Sequence, residues 1–343
     1  MEERSGPSTI VDVAKAAGVS VATVSRALRG LDRVSPDTRE KVRRVAEELH
    51  YVASPTATSL ASGRTRIVGV IVPLASRWYF AAMVSAIGKA LRQRDYQVLL
   101  FDLESEQFDS RLTLTRTMLW KRVDGAISIN IPMTGAELEL LSGLHVPVVS
   151  VGYPLQGRPS IGIDDAAAAR TAMEHVLGLG HRDIAYVGAV TDAAALVETP
   201  RARLAAALET MAEHDLTPRE DWILRTDWTA DNARERATAL FSHRPVPTAV
   251  VCGSDEIAFG VHMAARAAGL RVPEDVSIVG IDDHPLAGLF DLTTVRQDLV
   301  AQAAQAVGLL LDGLTTGASA PAAPRHVVLD TPLVLRRSTA PPA

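Results

Sequence analysis

Hydrophobic and polar residues alternate along this chain with three different rhythms. In the first fifty residues apolar positions recur at three- and four-residue spacing: Ile10, Val13, Ala14 and Ala17, then Val21, Val24 and Leu28, then Val42, Val45, Ala46 and Leu49. One apolar stripe per short run predicts helices that pack on one another. Thr9, three residues before Asp12, is a capping-box-like start, and Gly18 ends the first run. Ser20 is an N-cap for the second, and Ser35-Pro36 gives the third a cap followed by a first-turn proline. Three helices with a glycine turn between the first two predict a helix-turn-helix unit.

Small and polar residues fill 51–66, which read as a linker. Ser54-Pro55 repeats the cap-plus-proline start, however, so residues 56–61 can make a short helix presenting Leu60. A helix that short needs a partner or DNA to hold it.

From Ile67 onward, strand-like apolar runs at 67–72, 97–101, 125–129, 146–151, 184–187, 249–252 and 277–281 alternate with helical runs at 81–94, 166–179, 200–214, 230–242 and 257–268. This alternation predicts parallel sheets with right-handed crossovers. Seven strands suit two open sheets better than one closed eight-unit barrel.

Open α/β sheets bind ligands at the C-terminal ends of their strands. There the sequence places Trp78, Tyr79 and Phe80, then Asn130, Ser254-Asp255 and Asp282-Asp283, with Arg203 opening a helix and Trp228 after Asp227. An arginine, carboxylates and a flat aromatic converging on one cleft suit a polyhydroxylated ligand, because charged groups bind hydroxyl pairs and an indole covers the apolar face of a sugar. Taken singly, the same residues have plainer roles: Arg203 and Asp282 as an ion pair, Trp228 as core, Asp255 as the cap of a helix beginning at Glu256.

Composition narrows the class. The 343 residues are 47% hydrophobic and 22% charged, which excludes disorder, and the single cysteine, Cys252, excludes an internal disulfide framework. No apolar run reaches the roughly 18 residues of a membrane helix, and the first residues lack a secretory pattern, so a cytoplasmic protein without a membrane partner is expected. The net charge of -5 is uneven: residues 1–64 carry 10 Lys and Arg against 8 Asp and Glu, and the remainder 25 against 32. A basic head on an acidic body hints at nucleic acid, although an excess of two also fits ordinary solvated surface.

Chemistry for an enzyme is hard to find. The chain has no G-x-x-x-x-G-K-[ST], no H-E-x-x-H and no strand-linked G-x-G-x-x-G. Its nine histidines lack metal-ligand spacing, and His181 reads as structural. Neither catalysis nor a metal or other cofactor is expected. The second helix does suit DNA: Ser20, Thr23 and Ser25 stand beside Arg26 on its unpacked side, and the small leading residues Val21 and Ala22 let it enter a groove about 12 Å wide. A three-helix scaffold without a ligand is the other reading of the same pattern.

The string TIVDVAKAAGVSVATVSRAL at 9–28, followed by VSPDTR at 34–39 and ELHY at 48–51, closely resembles the N-terminal signature of LacI/GalR-type bacterial repressors. The body resembles the periplasmic-binding-protein-like core of the same family through VDG at 123–125, LGHRDIA at 179–185, Arg203, SDEIAFG at 254–260, RVPEDVSIVGIDD at 271–283 and LTTV at 292–295 with Gln297-Asp298. The implied fold is α/β: a helix-turn-helix head (1–53), a hinge helix and linker (54–65), a two-lobed core of parallel sheets (66–337) and a tail (338–343). The resemblance implies that Val21 and Ala22 read base edges, that Arg26 adds a base or phosphate contact, and that Thr9, Ser20, Thr23 and Ser25 position the backbone. Leu60 matches the hinge leucine that wedges into the minor groove, with Ala57 beside it among the DNA-binding residues.

In the core, the resemblance makes Arg203 and Asp282 effector-holding residues and Trp228 a ring that stacks on sugars. Ser254 stands where asparagine is common, and Tyr79, Asn130 and Asp255 complete the expected effector set. Leu74, Arg77 and Trp78 depart from the Asp, Asn and Pro usual in the first cleft loop. The function implied is a homodimeric repressor on pseudo-palindromic double-stranded operator DNA, switched by a small-molecule effector, a sugar. The alternative is a sugar-binding protein of the periplasmic type without DNA function. The end of the chain, Ser-Thr-Ala-Pro-Pro-Ala, has no leucine heptad, so no tetramer by that route is expected.

Overall fold

The computed structural model describes residues 8–29, 31–52, 63–104, 111–189, 198–316 and 325–343. They belong to two units, 1–65 and 66–343.

The first unit holds the three expected helices, α1 (Ile10–Ala17), α2 (Val21–Leu28) and α3 (Pro36–Glu48). Thr9 and Asp12 close a capping box, Gly18 ends α1 with the left-handed φ of 66°, and Ser20 and Ser35 accept hydrogen bonds from the backbone N–H groups of Thr23 and Thr38. Glycine adopts that φ without the Cβ clash any other residue would meet. Val13, Ala17, Val24, Ala27 and Val42 are fully buried where the helices meet. Each valine there contributes roughly 1.5–3 kcal/mol of burial free energy.

The second unit runs β1 (Ile67–Val72), α4 (Trp78–Arg92), β2 (Gln97–Asp102), α5 (Arg116–Leu119), β3 (Gly125–Ile129), α6 (Gly135–Gly143), β4 (Val148–Val151), β5 (Ser160–Ile163), α7 (Asp165–Gly178), β6 (Ile184–Ala189) and α8 (Glu198–Glu213). It continues with β7 (Ile223–Thr226), α9 (Ala230–Ser242), β8 (Ala249–Cys252), α10 (Asp255–Ala267), β9 (Ser277–Asp282), β10 (Thr293–Arg296), α11 (Leu299–Thr316), β11 (His326–Leu329) and β12 (Leu333–Val334). Two six-stranded sheets result, ordered β11-β5-β4-β3-β1-β2 and β12-β10-β9-β8-β6-β7. Pairing is parallel except between β10 and β12. Burial on both faces explains the unbroken apolar runs of Val68–Val72 and of β8, since helices cover each side of a parallel sheet.

The chain changes sheets three times. It leaves β5 through α7, which packs on the second sheet through Ala168, Ala172 and Met173; it returns after β10 through α11, which buries Ala306, Val307 and Leu310 on the first; and it crosses again between β11 and β12. Each lobe is therefore built from separated stretches of sequence, and the crossings tie the lobes together.

Some boundaries differ from expectation. β4 begins at Val148, not 146, because Pro147 has no N–H for the ladder. α4 starts at Trp78, which puts Trp78, Tyr79 and Phe80 in its first turn, and Arg203 lies inside α8 instead of opening it. The residues expected as a separate tail are part of the second lobe. Ser338 is buried, accepts a hydrogen bond from Thr293 N–H and donates to the Ile278 carbonyl, while the Ala340 carbonyl meets His181 Nε2 at 2.8 Å. His181 is thus structural, held also by Thr248 and Ser277. Among the described residues no helix is long and apolar enough to cross a membrane.

Candidate functional site

In the first unit, α2 turns Val24 and Ala27 inward and leaves Ser20, Val21, Ala22 and Arg26 exposed, with Thr23 and Ser25 half-buried beside them. This is one continuous helix face of small side chains, three hydroxyls and a guanidinium. The Ser20 hydroxyl accepts the Thr23 N–H at 3.1 Å, so the helix end is capped. Thr9 is exposed at the end of α1. Ala57 and Leu60 lie outside the described residues.

In the second unit a cavity of about 390 Å³ opens at the C-terminal ends of strands from both sheets. Leu74 follows β1, Asn130 follows β3, Gly152 and Tyr153 follow β4, Asp165 follows β5, Trp228 follows β7, Ser254 follows β8 and Gln297 follows β10, while Asp282 ends β9. Three of these lining residues other than glycine hold left-handed backbones: Asn130 (φ 53°), Trp228 (φ 72°) and Asp282 (φ 135°). Such conformations cost on the order of 1–3 kcal/mol each and persist where the surroundings enforce them, which is common at ligand sites. Gly152 makes room for one of them, because a Cβ there would lie 2.7 Å from Asn130 Oδ1.

Arg203 is the hub. Its buried guanidinium donates from Nε to Asp165 Oδ1 at 2.8 Å and from Nη1 to the Gly253 carbonyl at 2.6 Å, and Nη1 lies 3.8 Å from Asp282 Oδ1. Asp282 also accepts from Gln297 Nε2 at 2.6 Å, and Asp165 from the Thr199 hydroxyl at 3.0 Å. Burial pushes the Asp282 carboxyl up to about 6 against the opposing pull of Arg203. Tyr79 is raised too, by burial first and then by the charges of Asp165 and Asp282, so its phenol stays neutral. The cavity thus presents acceptors and donors whose orientations are already fixed, next to the rings of Tyr79 and Trp228. Fixed polar groups of this kind bind hydroxyls with little ordering cost.

Of the residues expected for a ligand, Tyr79, Asn130, Arg203, Trp228, Ser254 and Asp282 line this one cavity. Ser254 also N-caps α10, accepting the Ile257 N–H. Asp255 is not at the cavity. It is fully buried behind it, accepting from the Thr294 hydroxyl at 2.6 Å and the His284 N–H at 2.8 Å, so its place is that of a structural anchor at the first residue of α10. The sequence reading missed Asp165, Thr199 and Glu256. Asp165 follows β5, a four-residue strand that escaped notice, so the strand-end rule had nothing to attach to. Among the described residues no group of three or more His, Cys, Asp or Glu could hold a metal ion.

Residues 9–54 match the model of bacterial regulatory proteins of the lacI family, and residues 173–339 that of the periplasmic binding protein-like domain. Catabolite control protein A of Priestia megaterium is 34% identical over 309 residues, covering 88% of this chain and 91% of that protein. Among solved structures, the Lac repressor dimer bound to operator and the anti-inducer ONPF superposes with a TM-score of 0.84 at 27% identity, covering 98% of this chain and 100% of that one. The complex of the transcriptional regulator CelR with cellobiose gives a TM-score of 0.68 at 29% identity, covering 96% and 99%. The chain belongs to the LacI family of bacterial transcription regulators.

Proposed function

We propose that the protein is a homodimeric, cytoplasmic repressor that binds a pseudo-palindromic operator through α2 and releases it when a carbohydrate occupies the cleft. The observation that carries the effector half is Arg203, held by Asp165 and next to Asp282 at the strand ends of both sheets. The DNA half rests on the exposed face of α2 and on the match of residues 9–54. The operator-bound Lac repressor dimer and the cellobiose complex of CelR, both similar along nearly the whole chain, support the pairing of the two functions.

The mechanism is linkage. A ligand that prefers one arrangement of the lobes shifts the protein toward it, and operator and effector then oppose each other by the same coupling free energy. Val21 and Ala22 would read base edges, Arg26 a base or phosphate, and Thr9, Ser20, Thr23 and Ser25 the backbone. Leu60, with Ala57, would wedge the central step of the operator. Two heads on a two-fold axis require a palindromic site. No catalytic step is assigned to the chain. A sugar-binding protein without DNA function leaves the capped, exposed α2 without a purpose.

The test is selection of a preferred duplex from a random pool, then fluorescence anisotropy at fixed salt with and without candidate sugars. Preference for a palindrome, lost on adding a sugar, is the expected result, with Leu60→Ala weakening the complex. Equal affinity for the selected and random duplexes, with or without sugar, overturns the proposal.

A further inference from the structure

Two consecutive residues of the first lobe reach across to the second. Arg77 is the N-cap of α4 and Trp78 opens it, and the same helix packs on the first sheet through Phe80, Met83, Ile87 and Leu91. The Trp78 indole lies against the His284 imidazole of the second lobe, with ring centroids 4.3 Å apart and planes tilted by 51°. Arg77 Nη2 donates to the Asp227 carbonyl at 3.2 Å, and its charge opposes the burial that raises the Glu256 carboxyl on α10. Both residues stand where this chain departs from the resembled family's first cleft loop.

The groups they meet are held firmly. His284 follows β9 and is buried; its N–H donates to Asp255 Oδ2 at 2.8 Å, its Nδ1 accepts the Leu286 N–H at 2.9 Å, and its ring meets Phe259 edge-on with centroids 5.3 Å apart. The Asp227 carboxylate accepts from the Thr229 N–H and hydroxyl, which fixes the turn that carries its carbonyl. Neither Trp78 nor His284 is among the residues lining the cavity, so their contact weights the lobes without being part of the ligand's wall. Lobes joined by chain crossings move by hinge rotation, and a contact made in one arrangement and lost in another shifts the equilibrium between them. An intrachain contact needs no effector, so it favours the arrangement the chain takes by itself, which in the repressor reading is the one that holds the operator.

We propose that Trp78 and Arg77 form an interlobe clamp: closed on His284 and Asp227, it holds the two lobes in the operator-binding arrangement and so raises operator affinity from outside the DNA-binding head. Both are positioning residues. The proposal rests on the repressor reading above and adds to it the contact that weights the switch.

The test measures affinity for the selected duplex without any sugar, and hydrogen exchange of the DNA-free protein, on the full-length parent, Trp78→Ala, Trp78→Phe, His284→Ala, the double variant Trp78→Ala with His284→Ala, and Arg77→Met. Ring pairs of this kind shift an equilibrium by roughly two- to tenfold, so Trp78→Ala should weaken operator binding about fivefold and Trp78→Phe should recover most of the loss. The double variant should bind no more weakly than the weaker-binding single variant, because each removes the same contact. Arg77→Met, which removes a different contact, should weaken operator binding too and is the second arm should Trp78→Ala fail to fold. Exchange in Trp78→Ala should quicken at 73–78, 284–290 and 296–299 while the head, 10–28, keeps parental rates. Operator affinity unchanged or raised in Trp78→Ala and Arg77→Met overturns the clamp, as does a double variant whose loss is the product of the two single losses, or exchange identical to the parent. In each of those cases a parent that still prefers its palindrome leaves the repressor reading standing. A parent that prefers no duplex sinks the repressor reading and the clamp together.

Discussion

Gly280 lies against the carboxylate of Asp255, so close that a Cβ built on Gly280 would sit 2.1 Å from Asp255 Oδ1. The contact joins the middle of β9 to the first residue of α10, both fully buried, and Leu292 closes the same space at 3.2 Å. The glycine is there because the carboxylate needs its volume, as its backbone is ordinary strand.

Gly280→Ala should therefore push the Asp255 carboxylate off the Thr294 hydroxyl and the His284 N–H. Overpacking together with a displaced buried polar group costs about 2–4 kcal/mol. Urea unfolding of the variant should show that loss, and Gly280→Ala combined with Asp255→Ala should recover part of it. A single variant as stable as the parent would contradict the contact.

Asp255 also makes stability depend on pH. Burial, and then the charge of Asp282, raises its carboxyl to about 7, against the donors Thr294 and His284. An unfolded aspartate titrates near 3.9. Between these values the folded protein holds a proton that the unfolded chain has released, so the stabilisation is complete below about pH 4 and is lost as pH rises through about 7. An asparagine side chain at this position cannot titrate. Asp255→Asn should gain on the parent by on the order of 2 kcal/mol between pH 5 and pH 8 in urea unfolding, and parallel pH profiles would count against it.

The head was fully legible from sequence because each of its signals is local: Thr9, Ser20 and Ser35 cap the helix that follows within three residues, and Gly18 stops α1. The seven apolar strands were legible for the same reason. β5, β7, β10, β11 and β12 were not, since each has four residues or fewer and none is an apolar run long enough to stand out; Thr293, Thr294 and Ser160 carry no hydrophobic period. The cleft inherits that limit. Arg203 and Asp282 stood out as charged residues in recognisable surroundings, whereas Asp165 owes its role to two long-range partners that nothing within its neighbourhood announces: Arg203, 38 residues away, and Thr199, 34 away.

Exposure separates two roles on α2. Ser20→Ala removes the cap bonded to the Thr23 N–H, which costs about 1 kcal/mol, and should weaken binding to every duplex alike. Val21→Ala alters an exposed side chain, 41% accessible, and should leave unfolding unchanged within about 0.5 kcal/mol while changing which duplexes are selected. Selection from a random pool with each variant distinguishes the two. An unchanged selected sequence for Val21→Ala would remove that residue from base reading.

Arg203 is structural as well as ligand-facing, which complicates its truncation. Arg203→Ala leaves Asp282 buried without its cation and Asp165 without its 2.8 Å partner, and breaking a buried pair costs about 3–5 kcal/mol. A lower melting temperature before any ligand is added is the expected result. Gln297→Ala removes a donor to Asp282 while keeping the ion pair, so it should weaken sugar binding with a smaller change in melting temperature. Equal melting temperatures for Arg203→Ala and the parent would show that the ion pair does not support the lobe.

Glu137 supplies the opposite pH dependence, away from the cleft. Its carboxylate is 1% exposed, and burial alone would raise its pKa. The Arg111 guanidinium, bonded to it at 2.7 and 2.6 Å, together with the N–H groups of Leu114 and Thr134, outweighs burial and holds it at about 2. An unfolded glutamate titrates near 4.3. Here the unfolded chain takes up the proton first, so the stabilisation is present above about pH 4.3 and disappears as pH falls toward 2. Glu137→Gln keeps the shape but places an amide against donors that need an acceptor. Its deficit relative to the parent should be about 3 kcal/mol at pH 6 and shrink below pH 4. Because the Asp255 contribution runs the other way, the parent itself should be most stable between those two titrations, and urea unfolding from pH 3 to pH 8 should show the curve of the Glu137→Gln variant converging with it only on the acid side.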